Sequence, residues 1–105
     1  MADVRLRLID WRAVRKGRLL GFASVEFAPI GLRMTEIPVL TGERGPWACV
    51  PTKPRLDQNR QQQREADGSP RYDHILGWSS RRRENEFSAA IVALVRRRHP
   101  HDLDG

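Results

Sequence analysis

The sequence predicts a small α+β domain, in which an antiparallel meander of about four or five β-strands carries one main C-terminal amphipathic helix packed on it. Two observations lead to this fold class. Strand-like apolar runs separated by turn residues fill the first half of the chain, and one run with helical periodicity lies near its end. The length of 105 residues suits a single domain, taken as residues 1–105, and leaves no room for a second.

The first two strands are predicted from the spacing of their apolar residues. Residues 4–11 begin by alternating apolar side chains with arginine, which is the period of a strand with one buried face. A basic turn over residues 12–18 leads into residues 19–27, which are apolar on both faces. Because a strand at the centre of a sheet can be covered on both faces, we expect residues 19–27 to form a central strand.

The third and fourth strands follow after a turn marked by proline and glycine. Residues 32–40 alternate as a strand does, but the phase changes by one residue near Glu36, which indicates a β-bulge. Pro38 cannot donate to a strand ladder and favours an edge position or a bulge. Residues 46–51 are predicted as a short strand that ends at a proline, with Cys49 as a small core residue.

A long basic loop is expected between the sheet and the helix. Residues 52–71 are dominated by Lys, Arg, Gln, Asn and Asp, and their aliphatic residues are Leu56 and Ala66. This composition favours a surface loop, and a loop of this length in a compact domain is usually functional or disordered. Residues 72–78 are expected to resume order as a short strand or extended segment.

One helix is predicted, over residues 81–97. Ser79 or Ser80 would cap its N-terminus and Pro100 would end it, which leaves residues 99–105 as a flexible tail. The helix is amphipathic because its apolar residues repeat at helical spacing and form one stripe, made of Phe87, Ala90, Ile91, Leu94 and Val95. We expect this stripe to face the sheet.

The composition argues against several classes of protein. The chain lacks a run of about 18–20 apolar residues and a secretory pattern at its start, so we expect a cytoplasmic protein without membrane contact. Its single cysteine, Cys49, allows neither an intramolecular disulfide nor a cysteine metal cluster. The histidines lack metal-ligand spacing and no Gly-rich phosphate loop occurs. We therefore expect no catalytic residue, metal, cofactor or small-molecule substrate.

The positive charge is the main functional signal. The chain has 17 Arg and 2 Lys against 13 acidic residues, a net charge of +6. Eight of these cations and four acids fall within residues 53–83. The guanidinium group binds phosphate with two parallel hydrogen bonds, so an Arg-rich surface suits nucleic acid. A coding bias towards arginine would explain the choice of Arg over Lys, but it would not explain the net charge.

The first turn of the helix carries the most informative cluster, Arg81 to Arg83. The helix dipole disfavours each cation there by roughly 0.3–1 kcal/mol, whereas free N–H groups, a serine hydroxyl and three guanidinium groups form a phosphate-binding surface. Alternatively, Glu84 and Glu86 neutralise part of the cluster and the arginines are only solvated. With the basic residues in and beside the loop, the predicted nucleic-acid-binding set is Lys53, Arg55, Arg71, Arg81, Arg82 and Arg83.

The tryptophans have two interpretations. Trp11, Trp47 and Trp78 could stack on unpaired bases, at about 1–3 kcal/mol per base. Each is also flanked by apolar residues and could fill the core or a subunit interface. We favour core or interface for Trp47, and both interpretations stay open for Trp78 because it directly precedes the arginine cluster.

Several segments stand in a characteristic order along the chain: Asp3-Val4-Arg5-Leu6-Arg7, Gly17-Arg18-Leu19, Ala23-Ser24-Val25, Ile37-Pro38-Val39-Leu40, Val50-Pro51-Thr52-Lys53, Tyr72-Asp73-His74-Ile75 and a helix after Ser79-Ser80. Over about residues 3–95, this order resembles the stage V sporulation protein G (SpoVG, septation protein) family. The resemblance implies an α+β protein that forms a homodimer through its β-sheet and binds DNA and RNA as a bacterial regulator of sporulation or cell division. It supports Lys53 by direct match and Arg55 by proximity.

The leading hypothesis is a non-enzymatic, homodimeric regulator that binds DNA or RNA. Its Arg and Lys side chains would neutralise phosphates, which makes binding depend strongly on salt. The alternative is a protein-interaction module, in which the basic loop or an exposed strand edge recruits an acidic partner and nucleic acid is incidental. Contacts to the phosphate backbone carry no sequence information, so neither the type of nucleic acid nor a preferred sequence is predicted.

Overall fold

The computed structural model describes residues 5–69, 71–74 and 76–104. Val4 of the first predicted strand, Pro70 of the predicted loop, Ile75 and Gly105 lie outside these residues. Within them, the elements are a 3₁₀ turn (Ala28–Ile30) and β1 (Leu6–Lys16), β2 (Leu19–Phe27), β3 (Leu32–Gly42), β4 (Gly45–Ala48), β5 (Thr52–Pro54), β6 (Tyr72–His74) and α1 (Arg81–Arg98).

The main sheet is an antiparallel meander in the order β1-β2-β3-β4, and α1 packs on one of its faces against β1 and β4. This confirms the predicted α+β class and the central position of β2. The second sheet has two strands, β5 and β6, paired antiparallel. Consecutive antiparallel strands need only short turns, which explains why sequence neighbours pair within the main sheet.

Strand β1 is longer than predicted. It runs to Lys16 instead of ending at residue 11, and the turn that the sequence indicated over residues 12–18 shrinks to Gly17 and Arg18. Gly17 takes the left-handed conformation, with φ +61°, that a tight reversal requires. Irregular register near Arg15, which also has positive φ, lets β1 pair along the whole length of β2.

The predicted bulge in β3 is confirmed. Ala23 lies opposite Ile37 and Val25 lies opposite Met34, so β3 holds one more residue than β2 between these pairs. Glu36 takes φ +56° at this point. Because of the extra residue, the apolar side chains after the bulge face the core, as the change of phase in the sequence predicted.

The hydrophobic core lies between α1 and the covered face of the main sheet. Its largest fully buried side chains are Val25, Ile37, Val39, Ile91 and Val95, each 0% exposed. The rest of the buried set comes from β1, β2, β4, the segment after β4, the helix and the chain end: Leu8, Leu20, Ala23, Ala48, Val50, Phe87, Val92 and Leu103. The prediction for Cys49 is wrong, because the alternation that buries Ala48 and Val50 leaves the thiol exposed.

The flexible tail predicted over residues 99–105 is corrected for residues 101–103, which contact β1 or enter the core. Leu103 is 3% exposed and belongs to the core. Asp102 Oδ2 accepts a hydrogen bond of 2.8 Å from Trp11 Nε1, and Arg15 Nη2 donates to the carbonyl of His101 at 2.7 Å. The sequence did not indicate this packing, because a single leucine among polar residues gives no periodic signal.

The loop predicted over residues 52–71 is corrected in part. Its first three residues form β5, and its described interior is a folded extension of the β5–β6 hairpin. The Arg55 N–H donates to the Arg71 carbonyl at 2.9 Å, and Gln63 bonds to both residues through its main chain at 2.8 Å. Pro54 also lies opposite Tyr72, which fixes the hairpin register.

Two turns close the extension. Asp57 Oδ1 accepts the N–H groups of Asn59 and Gln61 at 2.8 and 2.9 Å. Ser69 donates its hydroxyl and its N–H to Asp67 Oδ1 at 2.6 and 3.0 Å, which lowers the pKa of that carboxyl. Such Asx turns give a polar segment defined geometry without a hydrophobic core.

Candidate nucleic-acid interface

The first candidate group is the arginine cluster at the start of α1. Ser80 caps the helix, since its Oγ accepts the N–H of Arg83 at 3.2 Å, so all three arginines lie in the first turn as predicted. Arg82 and Arg83 are 85% and 62% exposed, and both approach Glu86, at 3.2 and 3.1 Å. The sequence suggested Glu84 and Glu86 as acids that neutralise part of the cluster. In the structure, Glu86 does so.

Arg81 differs from its two neighbours. It is exposed, and no side chain in the described part of the chain pairs with it. The cluster thus presents three guanidinium groups against one bridging carboxylate, at a helix end where main-chain N–H groups already favour anions. This combination destabilises the free helix slightly and suits a phosphate group.

The second candidate group lies on the hairpin. Lys53 is exposed on β5, and Arg55 and Arg71 are joined directly through their main chains. Arg71 is half-buried, and its Nε lies 3.2 Å from Glu65 Oε1 without the alignment of a hydrogen bond. Of this group, Lys53 is the exposed cation on a strand, whereas the Arg71 charge is partly compensated within the hairpin.

A wide groove is lined by sequence neighbours of both groups. It has a volume of about 1200 Å³ and opens between the uncovered face of the main sheet, the hairpin and the first turns of α1. Tyr72, next to Arg71, lines it from the hairpin, and Glu84, next to Arg83, lines it from the helix. Each basic group therefore has a sequence neighbour on the groove wall, while the predicted binding residues themselves do not line the groove.

Aromatic rings line this groove. Trp47, Tyr72 and Trp78 are 36%, 51% and 37% exposed, and all three belong to its wall, together with the half-buried Phe22. Trp47 does not lie in the core: strand alternation places it on the uncovered face, opposite Leu40 of β3. The alternation of side chains along the strand could have predicted this position. Ala48 and Val50 occupy the covered face, so Trp47 must lie on the other face.

The rings are held in place by their surroundings. Trp78 packs against Phe87 of the core, with 4.9 Å between ring centroids. Trp47 lies over Gly42, where an added Cβ would come within 2.7 Å of the indole ring. Gly42 is thus a close-approach glycine, and its missing side chain lets the indole rest on the backbone of β3.

The sheet wall of the groove is electrically balanced. Arg12 donates to Glu36 at 2.9 Å, and its guanidinium carbon lies 5.1 Å from the centroid of the Phe22 ring. The bulge in β3 positions Glu36 for this pair. Its carboxylate charge is therefore compensated at the point where Glu36 lines the groove.

A second ion network occupies the other half of the uncovered face. Glu26 lies between Arg33 and Arg7, which it meets at 3.1 and 2.9 Å. The hydrogen bond from Arg33, followed by that from Arg7, lowers the pKa of the Glu26 carboxyl against the opposing effect of burial. These two arginines are committed to an internal partner and are weaker candidates for phosphate contact.

The described residues contain no cluster of three or more His, Cys, Asp or Glu side chains that could hold a metal ion. No helix in the described ranges is long and apolar enough to cross a membrane. Comparison with known proteins gave no match to this chain among protein-family models, curated proteins or solved structures.

Proposed function

We propose that this chain is a non-enzymatic nucleic-acid-binding protein, acting in the cytoplasm as a bacterial regulator of the SpoVG type in gene regulation linked to sporulation or septation. The regulatory role rests on the ordered segments described from the sequence. The binding role rests on charge and geometry. Contact with phosphates supplies most of the affinity in such proteins, so a concentrated basic surface is the feature that matters.

The observation that carries the proposal is the arginine cluster at the N-terminus of α1. Three adjacent cations at this end of a helix oppose the dipole, and Glu86 compensates one charge of three. A phosphate at this position would accept hydrogen bonds from the guanidinium groups and from the free main-chain N–H groups of the first turn. The proposal also includes Lys53 and Arg55 on the hairpin, which the sequence resemblance supports.

The proposal includes a homodimer formed through the β-sheet. Strand β1 is an edge of the main sheet, whereas the Ala48 N–H at the opposite edge already donates to Ser88 Oγ at 2.9 Å. Strand β1 also exposes Ile9 and Val14, at 39% and 38%. Pairing two copies along β1 would extend the sheet and double the net charge available to nucleic acid.

Replacement of Arg81, Arg82 and Arg83 together by Gln tests the binding proposal. We expect weaker binding to single-stranded and duplex DNA and RNA. A plot of log affinity against log salt should also be less steep by about 2–3, which is one unit for each phosphate that the variant no longer neutralises. Fluorescence anisotropy at several salt concentrations measures both quantities, and sedimentation of the same sample measures the mass.

The matched control replaces Arg96, Arg97 and Arg98 by Gln, which removes the same charge from the other end of α1, where cations complement the dipole. Arg98 reaches the Leu8 carbonyl only at 3.5 Å, so little structure depends on it. An equal decrease in affinity in both triple variants would contradict the assigned site. A wild-type protein that binds no nucleic acid at low salt would refute the function and favour the protein-interaction alternative.

A further inference from the structure

We propose that the groove binds the unpaired bases of a single-stranded nucleic acid, which stack on Trp47, Tyr72 and Trp78 while the phosphates contact the arginine cluster at the start of α1. This inference rests on the proposed nucleic-acid-binding function and makes it specific. It assigns to the groove a class of ligand, unpaired bases on a sugar–phosphate strand, that the arginine cluster alone does not require.

The concentration of exposed rings in one place is the first argument. The exposed aromatic side chains among the described residues, Trp47, Tyr72 and Trp78, all line the same groove. A flat aromatic ring that is open on one face is the surface on which nucleic-acid bases stack, independently of base identity. An ordinary solvent-exposed surface carries such rings singly.

The rings are also preorganised. Phe87 supports Trp78 from the core side, and the absence of a side chain at Gly42 lets the Trp47 indole lie on the strand. The register of the hairpin, in which Tyr72 lies opposite Pro54, determines the face on which Tyr72 lies. A base that stacks on rings already held in position loses less free energy to ordering the protein than one that must order them.

The distribution of charge separates a place for bases from a place for phosphates. Glu84 and Asn85 lie on the groove wall, and Arg81 precedes Glu84 by about one helical turn. Glu36 on the opposite wall is compensated by Arg12. An acidic and an amide side chain inside the groove disfavour phosphate there, but they can accept or donate hydrogen bonds at base edges.

This arrangement complements a single strand better than a duplex. A duplex keeps its bases paired and presents mainly its phosphates to a basic border, so it would leave the aromatic wall in water. A single strand can place its bases on the rings and its phosphates on Arg81, which precedes the groove residue Glu84 by about one helical turn. The expected preference is therefore for unpaired over paired nucleic acid of equal charge.

The first experiment leaves the protein unaltered. Anisotropy titrations compare a single-stranded oligonucleotide of about 12 nucleotides with an abasic strand of the same length and charge. Each well-stacked base contributes roughly 5- to 150-fold in affinity, so we expect the abasic strand to bind at least tenfold more weakly at equal salt. Equal affinity for the two strands would overturn the inference, while salt-dependent binding of both would leave the proposed function standing.

The second experiment alters the wall. Trp47→Leu combined with Tyr72→Leu should lower single-strand affinity at least tenfold while leaving the salt dependence unchanged, because no cation is removed. The control, Ile30→Ala, removes an apolar side chain that is 73% exposed outside the groove. Circular dichroism checks that each variant is folded.

Two results of the second experiment would contradict the inference. Unchanged single-strand affinity in the double variant would show that the rings do not contact bases. A decrease in affinity together with conversion of a dimer to a monomer in sedimentation would assign the groove to the interface between two copies of the chain. Absence of any nucleic-acid binding by the unaltered protein would instead remove the proposed function on which the inference rests.

Discussion

Leu103 near the C-terminus offers the sharpest test of the tertiary structure, because the sequence predicted a flexible tail there. The side chain is 3% exposed and lies in the core cluster. Leu103→Ala removes three buried carbon atoms, which at about 0.8 kcal/mol each amounts to about 2.4 kcal/mol of lost burial. A residual cavity would add to this, and relaxation of the chain end would limit the addition.

We therefore expect Leu103→Ala to lower the free energy of unfolding by about 2–3 kcal/mol. For a domain of this size, the corresponding decrease in Tm is roughly 10–20 °C. Urea denaturation followed by far-ultraviolet circular dichroism measures the first quantity, and a thermal scan measures the second. The slope of the urea transition should stay the same, because the unfolded chain is unaltered apart from one side chain.

Leu56→Ala is the matched control for this substitution. Leu56 lies on the hairpin extension and is 52% exposed, so the same chemical change there should alter stability by less than about 0.5 kcal/mol. If Leu103→Ala lowers the free energy of unfolding as little as Leu56→Ala does, the described packing of the chain end against β1 is refuted. Removal of the hydrogen bond between Trp11 and Asp102 alone should destabilise the protein less than Leu103→Ala does, because that bond is only half-buried.

Three further substitutions test single interactions. Ser80→Ala removes the N-cap bond to Arg83 and should lower the free energy of unfolding by about 1 kcal/mol in urea denaturation. Ser88→Ala leaves the Ala48 N–H without its acceptor and should lower it by about 1–3 kcal/mol in the same assay. Glu26→Gln should lower stability at pH 7 but not in acid, as measured by urea midpoints from pH 7 down to about pH 2.

The sign of the pH effect follows from the lowered pKa of Glu26 in the folded protein. A carboxyl whose pKa is lowered by folding stabilises the protein above its unfolded value, here about 4.5, and this stabilisation is lost as the pH falls through the folded value. A difference between wild type and Glu26→Gln that stays constant down to strong acid would contradict the ion network. Glu43→Gln, in the turn between β3 and β4, is the control for removal of one carboxylate.

Ser79→Ala and Ser88→Thr serve as controls for the two serine substitutions. Ser79 precedes the N-cap position, so its replacement should change stability by less than about 0.5 kcal/mol. Threonine keeps a hydroxyl acceptor at position 88 and should retain most of the stability that alanine loses. A Ser79→Ala variant as unstable as Ser80→Ala would place the start of α1 one residue earlier.

The local sequence pattern was sufficient to predict elements whose signal is contained in a few neighbouring residues. The bulge at Glu36 follows from a change of phase within β3, and the N-terminus of α1 follows from a serine followed by helical periodicity. The candidate arginines could be identified in the same way, because the direction of the helix dipole depends only on where the helix begins.

Such local patterns could not predict contacts between distant segments of the chain. The docking of Leu103, the length of β1 and the exposure of Cys49 each depend on which residue lies opposite in the folded chain. The groove is the clearest case: Trp47, Tyr72 and Trp78 belong to three separate segments.

The sequence by itself therefore determined the fold class, the single helix and the location of the positive charge along the chain, since each depends on local periodicity or on composition. Only the tertiary structure decided that aromatic side chains from β4, β6 and the segment before α1 line one groove. The physical reason is that strand register and the packing of α1 on the sheet assign each side chain to a face. That assignment is made by long-range burial, which no short stretch of sequence specifies.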